Sequence, residues 1–220
     1  MISANLDQAR FNMVHQQIRT WEVVDQRVID LLDELPRDHF VPDAYKNLAY
    51  SDTEIPIGNG QHMMAPKIEA KLLQALNIQA SDLILEIGTG SGFLTACLAK
   101  LGSRVISLEI DDSFIPSAQA KLDGQGIKNA EIRHLDGLAA AAEGAPFDVI
   151  AVTGSLPQIN DILKQQLKVG GRMFIVTGES PVMEAQLVTR VGDDDWRTEG
   201  LFETELAVLT NAPHKSRFSF

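Results

Sequence analysis

The chain has 220 residues, a length that suits one domain of ordinary size with an N-terminal extension. Hydrophobic residues make up 45% of it and charged residues 22%, values typical of globular proteins, which argues against disordered and membrane-spanning classes. The formal net charge of −11 counts against a protein whose main partner is a nucleic acid. No signal-peptide core or long unbroken apolar window is present, so we expect a cytoplasmic protein without a membrane partner.

Cysteine and histidine usage predicts neither a disulfide framework nor a metal site. Cys97 is the single cysteine, and its small apolar surroundings in a predicted helix favour core packing. The five histidines are scattered, without the short spacings that place two imidazoles on one helix face.

The N-terminal part of the chain is predicted to be a helical extension. Apolar residues recur at helical spacing over residues 7–35, which indicates two helices. Residues 36–66 are expected to be irregular, with residues 55–66 forming an ordered loop that is rich in glycine and proline. A further helix is predicted over residues 67–76. We therefore divide the chain into an extension with a substrate loop, residues 1–66, packed on a core of residues 67–220 as one structural unit.

Alternating strands and helices characterise the predicted core. Short continuous apolar runs indicate buried strands, and a more polar run indicates a weaker one; these strands are residues 83–87, 105–108, 130–134, 147–152 and 173–176. Helices are predicted near residues 92–101, 113–126 and 157–167. This alternation predicts an α/β fold, doubly wound and mostly parallel. Residues 184–191 and 203–209, on either side of an acidic turn, are predicted to form an antiparallel C-terminal pair.

A glycine-rich turn follows the first core strand. Glu86 and Ile87 end that strand, and Gly88, Thr89, Gly90, Ser91 and Gly92 lead into a helix. Glycines in such a turn let the backbone approach a ligand closely. A carboxylate of the ligand can use the unpaired amides of the helix start and the hydroxyls of Thr89 and Ser91. The nicotinamide dinucleotide pattern needs a third glycine where this chain has Phe93, so that class of cofactor is disfavoured.

Carboxylates after the next two strands complete a candidate cofactor site. Glu109 ends the second core strand about twenty residues after Gly88, the interval at which an acidic side chain accepts hydrogen bonds from ribose hydroxyls. Asp136 and Gly137 follow the third strand and form either the rim of an adenine pocket or an ordinary Asx turn. Thr153 lies after the fourth strand, at the same edge of the sheet.

Several segments of the sequence resemble the protein-L-isoaspartate O-methyltransferase family. The matching segments are residues 36–42 (PRDHFVP), 49–52 (AYSD), 55–58 (IPIG) with 60–61 (GQ), 85–92 (LEIGTGSG), 136–137 (DG), 146–148 (PFD) and 167–171 (LKVGG). Their order and spacing make the match specific.

The resemblance implies a Rossmann-like methyltransferase that uses S-adenosylmethionine and leaves S-adenosylhomocysteine. It implies methyl transfer to the free carboxylate of an isoaspartyl residue in a damaged protein or peptide, which begins its repair. Carried over by position, Glu86 to Gly92 form the cofactor loop, Glu109 holds the ribose, and Asp136 with Gly137 adjoins the adenine.

The chain departs from the family at the substrate loop. The family pattern continues after its Gly-Gln pair with Thr-Ile-Ser, whose hydroxyls stand at the reaction site, whereas here Gln61 precedes His62, Met63 and Met64. A thioether cannot donate a proton to a carboxylate. His62 and Gln61 are therefore the catalytic candidates: a protonated imidazole could pair with a carboxylate, and a neutral one could serve as a base for a hydroxyl or amine acceptor.

Three interpretations stay open at this point. The first is isoaspartyl carboxyl methylation. The second is methylation of another acceptor, such as a small molecule, and the third is a non-catalytic protein that keeps the cofactor pocket.

Overall fold

A computed structural model describes residues 2–213, so that the last seven positions of the predicted core lie outside the described part. The N-terminal extension is helical, as predicted. Helix α1 (Ile2–Asn12) continues through a π-helical segment (Met13–Gln17) and a 3-10 segment (Ile18–Trp21), and α2 spans Gln26–Glu34. The side chain of Asp25 caps α2 by accepting a 2.9 Å hydrogen bond from the amide of Arg27.

The segment predicted to be irregular contains a β-hairpin, so that prediction was wrong for its second half. After two 3-10 segments (Arg37–His39 and Asp43–Leu48), strands β1 (Ile55–Gly58) and β2 (Gln61–Met63) pair antiparallel. Asn59 and Gly60 connect them with φ angles of 51° and 73°, the left-handed values that a tight hairpin turn requires. The Asn-Gly pair was the sequence signal for this turn.

The core alternates strands and helices as the sequence predicts. Its elements in chain order are α3 (Pro66–Leu76), β3 (Leu83–Ile87), α4 (Phe93–Leu101), β4 (Arg104–Glu109), α5 (Ile115–Gly124), β5 (Ala130–His134), β6 (Phe147–Leu156), α6 (Asp161–Gln165), β7 (Leu167–Glu179), β8 (Val182–Gly192) and β9 (Asp195–Glu203). Helix α6 is shorter than predicted because Asn160 caps its start and β7 begins directly after it.

The seven-stranded sheet has the order β5-β4-β3-β6-β7-β8-β9. The five strands from β5 to β7 are parallel, while β8 runs antiparallel to both β7 and β9. The chain winds outward from β3 first to β4 and β5 and then to β6 and β7. The direction of winding therefore reverses between β3 and β6, and in open α/β sheets ligands bind beside such a reversal, at the carboxyl ends of the strands.

The closing antiparallel pair was predicted correctly in kind and wrongly in its second member. Strand β9 covers Asp195–Glu203, so of the predicted residues 203–209 only Glu203 belongs to a strand. Instead, this segment turns back to β6, where Val208 makes a single parallel bridge with Ser155. Leu206 of this segment is buried, whereas Ala207 and Val208 are exposed.

One apolar core joins the extension to the sheet. Its largest cluster includes Met13 and Val28 from the extension, Phe93 from α4 and Phe174 from β7. Cys97 is fully buried in the same cluster, as predicted. Within residues 2–213, no helix is both long and apolar enough to cross a lipid bilayer.

Candidate active site

A cavity of about 440 Å³ opens at the carboxyl ends of β3, β4 and β6. The glycine turn, the ends of these strands, the hairpin and residues 206–210 line it. Of the twelve positions singled out from the sequence, eight line this cavity: Gln61, His62, Ile87, Gly88, Gly90, Glu109, Asp136 and Gly137. Its size lies within the range of small-molecule sites.

The glycine turn is held in shape by the neighbouring strands. Gly88 has a φ of 96° and Gly90 a φ of 49°, left-handed values that disfavour side chains. The Thr153 hydroxyl donates to the carbonyls of Ile87 and Gly88 at 2.8 and 2.9 Å. A Cβ at Gly88 would overlap that hydroxyl oxygen. The turn therefore requires glycine here and presents backbone to the cavity.

Glu109 is a fixed carboxylate beside this turn. One of its oxygens accepts a 2.8 Å hydrogen bond from the amide of Gly90, and the other accepts a 3.0 Å bond from the amide of Asp111. The residue is only 6% exposed, and it lines the cavity. Because both oxygens are anchored by backbone amides, the carboxylate is oriented before any ligand binds.

The segment after β5, the third strand of the core, provides a predominantly apolar recess. Asp136 accepts from the amide of Leu138 at 2.8 Å and from the side chain of Asn211 at 3.1 Å, so it forms an Asx turn and lines the cavity as well. A Cβ at Gly137 would lie 2.7 Å from Ile87 Cδ1. The recess continues along Leu108, Ile110, Leu135 and Leu138. A planar apolar ring with polar edges would fit this environment.

Four positions of the predicted cofactor loop lie behind the cavity lining: Glu86, Thr89, Ser91 and Gly92. Glu86 is fully buried and accepts hydrogen bonds from Thr95 at 2.5 Å and Ser107 at 2.6 Å. Thr89 is hydrogen-bonded to Ser107 as well, and Ser91 accepts from the amide of Phe93. The two hydroxyls expected to face a ligand are thus bonded within the protein.

Burial changes the ionisation of Glu86. Removal from water raises the pKa of this carboxyl to about 8, against the lowering effect of the Ser107 and Thr95 hydrogen bonds. Its Oε1 has no hydrogen-bond partner among residues 2–213. At neutral pH the Glu86 carboxyl is therefore mostly protonated, and it supports the glycine turn from behind.

The hairpin forms a further wall of the cavity and lies against the glycine turn, where Ile57 contacts Gly90. Ile55 pairs with Met63 and both are buried in the core, whereas the alternate residues His62 and Met64 line the cavity. Glu54, which precedes β1, lines the same end. We call this part of the cavity, formed by Glu54, Gln61, His62 and Met64, the hairpin end. It carries a carboxylate, an amide, an imidazole and a thioether, and no hydroxyl.

Two sets of contacts hold the hairpin in place. The guanidinium of the buried Arg37 pairs with Glu69 at 3.0 Å and donates to the carbonyls of Ala49 and Met64, each at 2.6 Å. At the hairpin tip, the side-chain amide of Asn59 donates to the carboxylate of Asp111 at 2.8 Å and to the hydroxyl of Ser113 at 3.0 Å. The first set fixes the base of the hairpin, and the second closes its tip over the end of β4.

Residues 206–210 complete the wall, a role that the sequence did not predict. The backbone amide of Ser155 donates to the carbonyl of Ala207 at 2.9 Å, and the carbonyl of Ser155 accepts from the amide of Leu209 at 3.0 Å. Its hydroxyl also donates to the carbonyl of Leu206 at 2.9 Å. No local pattern could have revealed this contact, because Ser155 and Leu206 are far apart in the chain.

The chemistry of the cavity fits a cationic ligand with an adenosine-like part. Five carboxylates line it, Glu54, Glu109, Asp111, Asp112 and Asp136, and the described lining contains no lysine or arginine. Within residues 2–213, no group of three or more histidine, cysteine or acidic side chains is arranged to hold a metal ion. The fold, the reversal between β3 and β6 and this cavity define the chain as a class I S-adenosylmethionine-dependent methyltransferase.

Comparison with known proteins identifies the family. The profile of the protein-L-isoaspartate(D-aspartate) O-methyltransferase family, PCMT, matches residues 8–212. The chain is 39% identical to the protein-L-isoaspartate O-methyltransferase of Syntrophus aciditrophicus over 84% of its length and 85% of the relative's. The counterpart from Rhodopseudomonas palustris is 35% identical over 91% and 92% of the two chains. The chain belongs to the protein-L-isoaspartate(D-aspartate) O-methyltransferase family.

Solved structures agree with the fold. The structure of a beta-aspartate methyltransferase (PCMT) from Plasmodium falciparum, in complex with S-adenosyl-L-homocysteine, matches with a TM-score of 0.78. The match covers 90% of this chain and 97% of that one, at 21% sequence identity.

Proposed function

We propose that this chain methylates the free carboxylate of isoaspartyl residues in proteins and peptides. The observation that carries the proposal is a single cavity with two kinds of lining. Glu109 and the apolar recess beside Gly137 form one part of the lining, and the polar side chains of the hairpin end form another. A cofactor along the strand ends would thus direct its reactive group toward a separate acceptor site.

The cofactor is proposed to lie against the glycine turn. Glu109 would accept hydrogen bonds from the ribose hydroxyls. The recess between Ile87 and Leu138 would hold the adenine ring, and Asp136 at the rim would face the polar edge of that ring. Gly88 and Gly90 would let the amino-acid part approach the backbone. Glu86, Thr89, Ser91 and Gly92 would act from behind by fixing the shape of the turn.

S-adenosylmethionine supplies a methyl group on a sulfonium: a carboxylate oxygen forms the new C–O bond while the C–S bond breaks, leaving a methyl ester and S-adenosylhomocysteine. Because the acceptor is already an anion, the protein's task is placement and exclusion of water more than removal of a proton. The hairpin supplies the wall that does both. Its base and tip are fixed by Arg37 and Asn59.

His62 and Gln61 are proposed to hold the acceptor carboxylate. Both side chains line the hairpin end, where Met64 can only pack. A protonated imidazole and an amide N–H are donors that a carboxylate accepts from. Loss of one such charge-assisted bond costs ~1.5–3 kcal/mol, about one to two decades in rate or affinity.

The test uses two peptides that differ only in the linkage at one aspartate. With labelled S-adenosylmethionine, the isoaspartyl peptide should gain a base-labile methyl ester and its aspartyl twin should not. Equal labelling of both peptides, or of neither at saturating cofactor, would overturn the proposal.

The role of His62 is tested separately. His62→Ala should lower kcat/KM for the isoaspartyl peptide by about tenfold or more. His15→Ala is the matched control, since His15 lies on the N-terminal segment, beside Asp33 and away from the cavity. An unaltered kcat/KM in His62→Ala would exclude a role for the imidazole in binding or catalysis.

A second candidate is methylation of a different acceptor, and Met64 is the observation that favours it. A thioether lines the hairpin end and no hydroxyl does, so a neutral His62 could accept a proton from a hydroxyl or amine acceptor. Methylation of a small hydroxyl or amine compound with no turnover of isoaspartyl peptides would favour this candidate. Cofactor binding without any methyl transfer would instead indicate a non-catalytic protein.

The proposal includes a cytoplasmic location and a protein or peptide partner in preference to a nucleic acid. The net charge of −11 and the five carboxylates of the cavity support this choice, because both repel phosphates.

A further inference from the structure

Glu54 is a charged residue that the reaction itself does not need. It lies directly before β1 and lines the hairpin end of the cavity. The register of β1 and β2, in which Ile55 faces Met63 and Pro56 faces His62, places position 54 opposite Met64. Glu54 therefore shares a strand face with Met64 and His62, on the side where the acceptor is proposed to bind.

The carboxylate of Glu54 is available to a ligand. The residue is exposed, and no hydrogen bond or ion pair joins its carboxylate to another of residues 2–213. Three other carboxylates of the cavity differ in this respect, because Glu109, Asp111 and Asp136 each accept hydrogen bonds from the protein. Asp112 also lacks such bonds, but it follows β4 and does not share the strand face of His62 and Met64.

No lysine or arginine of the described cavity lining neutralises this charge. The closest lysine in sequence to the hairpin, Lys67, is paired with Asp52 at 3.0 Å, and that pair is neutral as a whole. Apart from the single imidazole of His62, the basic side chains of the described part of the chain lie outside this lining. The hairpin end thus carries the negative charge of Glu54, although the acceptor proposed to bind there is itself an anion.

We propose that Glu54 selects isoaspartyl sites with a cationic neighbour, such as a lysine or arginine side chain or a free amino terminus, and disfavours sites flanked by acidic residues. This inference rests on the proposed function. A cation beside the acceptor offsets the repulsion between Glu54 and the acceptor carboxylate and pairs with Glu54 in the complex. A second carboxylate adds to the repulsion.

The size of the effect follows from Coulomb's law. Two unit charges about 7 Å apart in a water-like medium change an equilibrium by roughly threefold, and added salt weakens the effect. Exchange of a lysine for a glutamate beside the isoaspartyl residue reverses the sign of the interaction. Glu54 should therefore separate two such peptides by about five- to tenfold at low ionic strength.

The experiment compares isoaspartyl peptides that carry lysine, glutamine or glutamate next to the isoaspartyl residue. For the wild-type protein at low salt, kcat/KM should fall in that order, mainly through KM. Glu54→Gln should bring the lysine-to-glutamate ratio to about twofold or less, by raising KM for the lysine peptide and lowering it for the glutamate peptide. High salt should lower the wild-type ratio as well.

Asp194→Asn is the matched control, because it removes the same charge from the exposed turn between β8 and β9, at the opposite edge of the sheet. It should keep the wild-type ratio. An unaltered ratio in Glu54→Gln, or equal KM values for the three peptides with the wild-type protein, would overturn the inference.

Failure of the proposed function would look different. In that case no peptide would be methylated, and peptide binding to the protein saturated with S-adenosylhomocysteine, measured by fluorescence anisotropy, replaces KM as the readout. The same order of affinities and its loss in Glu54→Gln would support the charge selection, and three equal affinities would contradict it.

Discussion

Glu86, on β3, is connected to the glycine turn by a chain of hydrogen bonds through Ser107. One of its oxygens takes both available hydroxyl protons, from Thr95 and Ser107, and the other has no partner among residues 2–213. Ser107 extends this network to Thr89 within the turn. A neutral carboxylic acid is tolerated in such a place, whereas ionisation would leave a buried charge with no cation beside it.

Glu86→Gln should therefore change how stability depends on pH. The folded-state pKa of about 8 lies above the unfolded value of 4.5, so the folded protein holds the proton more tightly. The stabilisation from this group is complete below pH 4.5 and is lost as the pH rises through 8. Between pH 5 and 8 the wild-type protein should lose about 3 kcal/mol of unfolding free energy relative to the variant, which corresponds to roughly 6–12 °C in Tm.

Thermal unfolding of both proteins across that pH range provides the measurement. Glu143→Gln, at an exposed position, serves as the control and should follow the wild-type curve. Parallel curves for the wild type and Glu86→Gln would mean that Glu86 is ionised in the folded protein.

At the scale of the element, the hairpin is held at two points with different strengths. Its base depends on a fully buried arginine that pairs with a buried carboxylate and binds two carbonyls. Its tip depends on one exposed asparagine side chain. Buried charge-assisted contacts are harder to break than exposed ones. We therefore expect the hairpin to open at its tip and to stay in place at its base.

Asn59→Gly should accelerate release of S-adenosylhomocysteine. Glycine keeps the left-handed turn, so the change removes the contacts to Asp111 and Ser113 without straining the backbone. Dissociation, followed by stopped-flow fluorescence or surface plasmon resonance, should be roughly three- to tenfold faster. Asn77→Gly removes another left-handed asparagine, at the end of α3, and should leave this rate unchanged. An unchanged rate in Asn59→Gly would show that the tip does not retain the ligand.

Arg37→Lys should destabilise the protein severely. An ammonium group cannot reach Glu69, Ala49 and Met64 with the planar geometry of the guanidinium, so buried acceptors lose their partners. The expected cost is about 2–4 kcal/mol in the free energy of unfolding, measured with urea. Arg104→Lys, in an exposed pair with Glu131, should cost less than about 1 kcal/mol. Similar costs for the two variants would contradict this role of Arg37.

The sequence predicted elements whose signal is local and missed those that depend on distant contacts. Strand β3 and helix α3 follow from continuous apolar runs and helical spacing, and their bounds agree with the structure to within a residue. The hairpin was missed because Pro56 and the two glycines Gly58 and Gly60 resemble a loop, although Asn59-Gly60 is a hairpin signal. The segment of residues 203–209 was assigned to a strand because of its apolar run from Leu206 to Leu209, while its actual partner is the distant Ser155.

The same division holds for the candidate site. The glycine turn and Glu109 could be placed from their spacing, because parallel strand ends meet at one edge of the sheet. Spacing cannot tell which side chains of the turn face the cavity, and so Thr89 and Ser91 were expected to contact the ligand. Their hydroxyls are hydrogen-bonded within the protein in the structure. Glu54 was missed because its position depends on hairpin register.

On the scale of the whole molecule, ligand binding and folding are coupled through the cavity walls. The extension, the sheet and residues 206–210 all contribute to one cavity, and the first two share one apolar core. A ligand that binds this folded arrangement alone stabilises the entire fold by mass action.

S-adenosylhomocysteine should therefore raise Tm. At a concentration of 100 times Kd the gain is about 2.7 kcal/mol, which corresponds to roughly 5–10 °C for a chain of this size. Gly88→Ala should abolish the shift, because its Cβ would overlap Thr153 and displace the turn. Gly126→Ala carries a similar backbone strain, at a φ of 68°, but has no atom within 4 Å of its Cβ and should keep the shift. A full shift in Gly88→Ala would contradict the proposed cofactor position.

The contact between Ser155 and residues 206–210 also sets an order of events during synthesis. This wall of the cavity comes from residues that the ribosome adds after all the strands of the sheet, β9 included. A nascent chain that has already folded its parallel strands still lacks the wall while residues 206–210 remain in the exit tunnel. We expect cofactor capture to wait until these residues emerge, because they complete the cavity that is proposed to bind it.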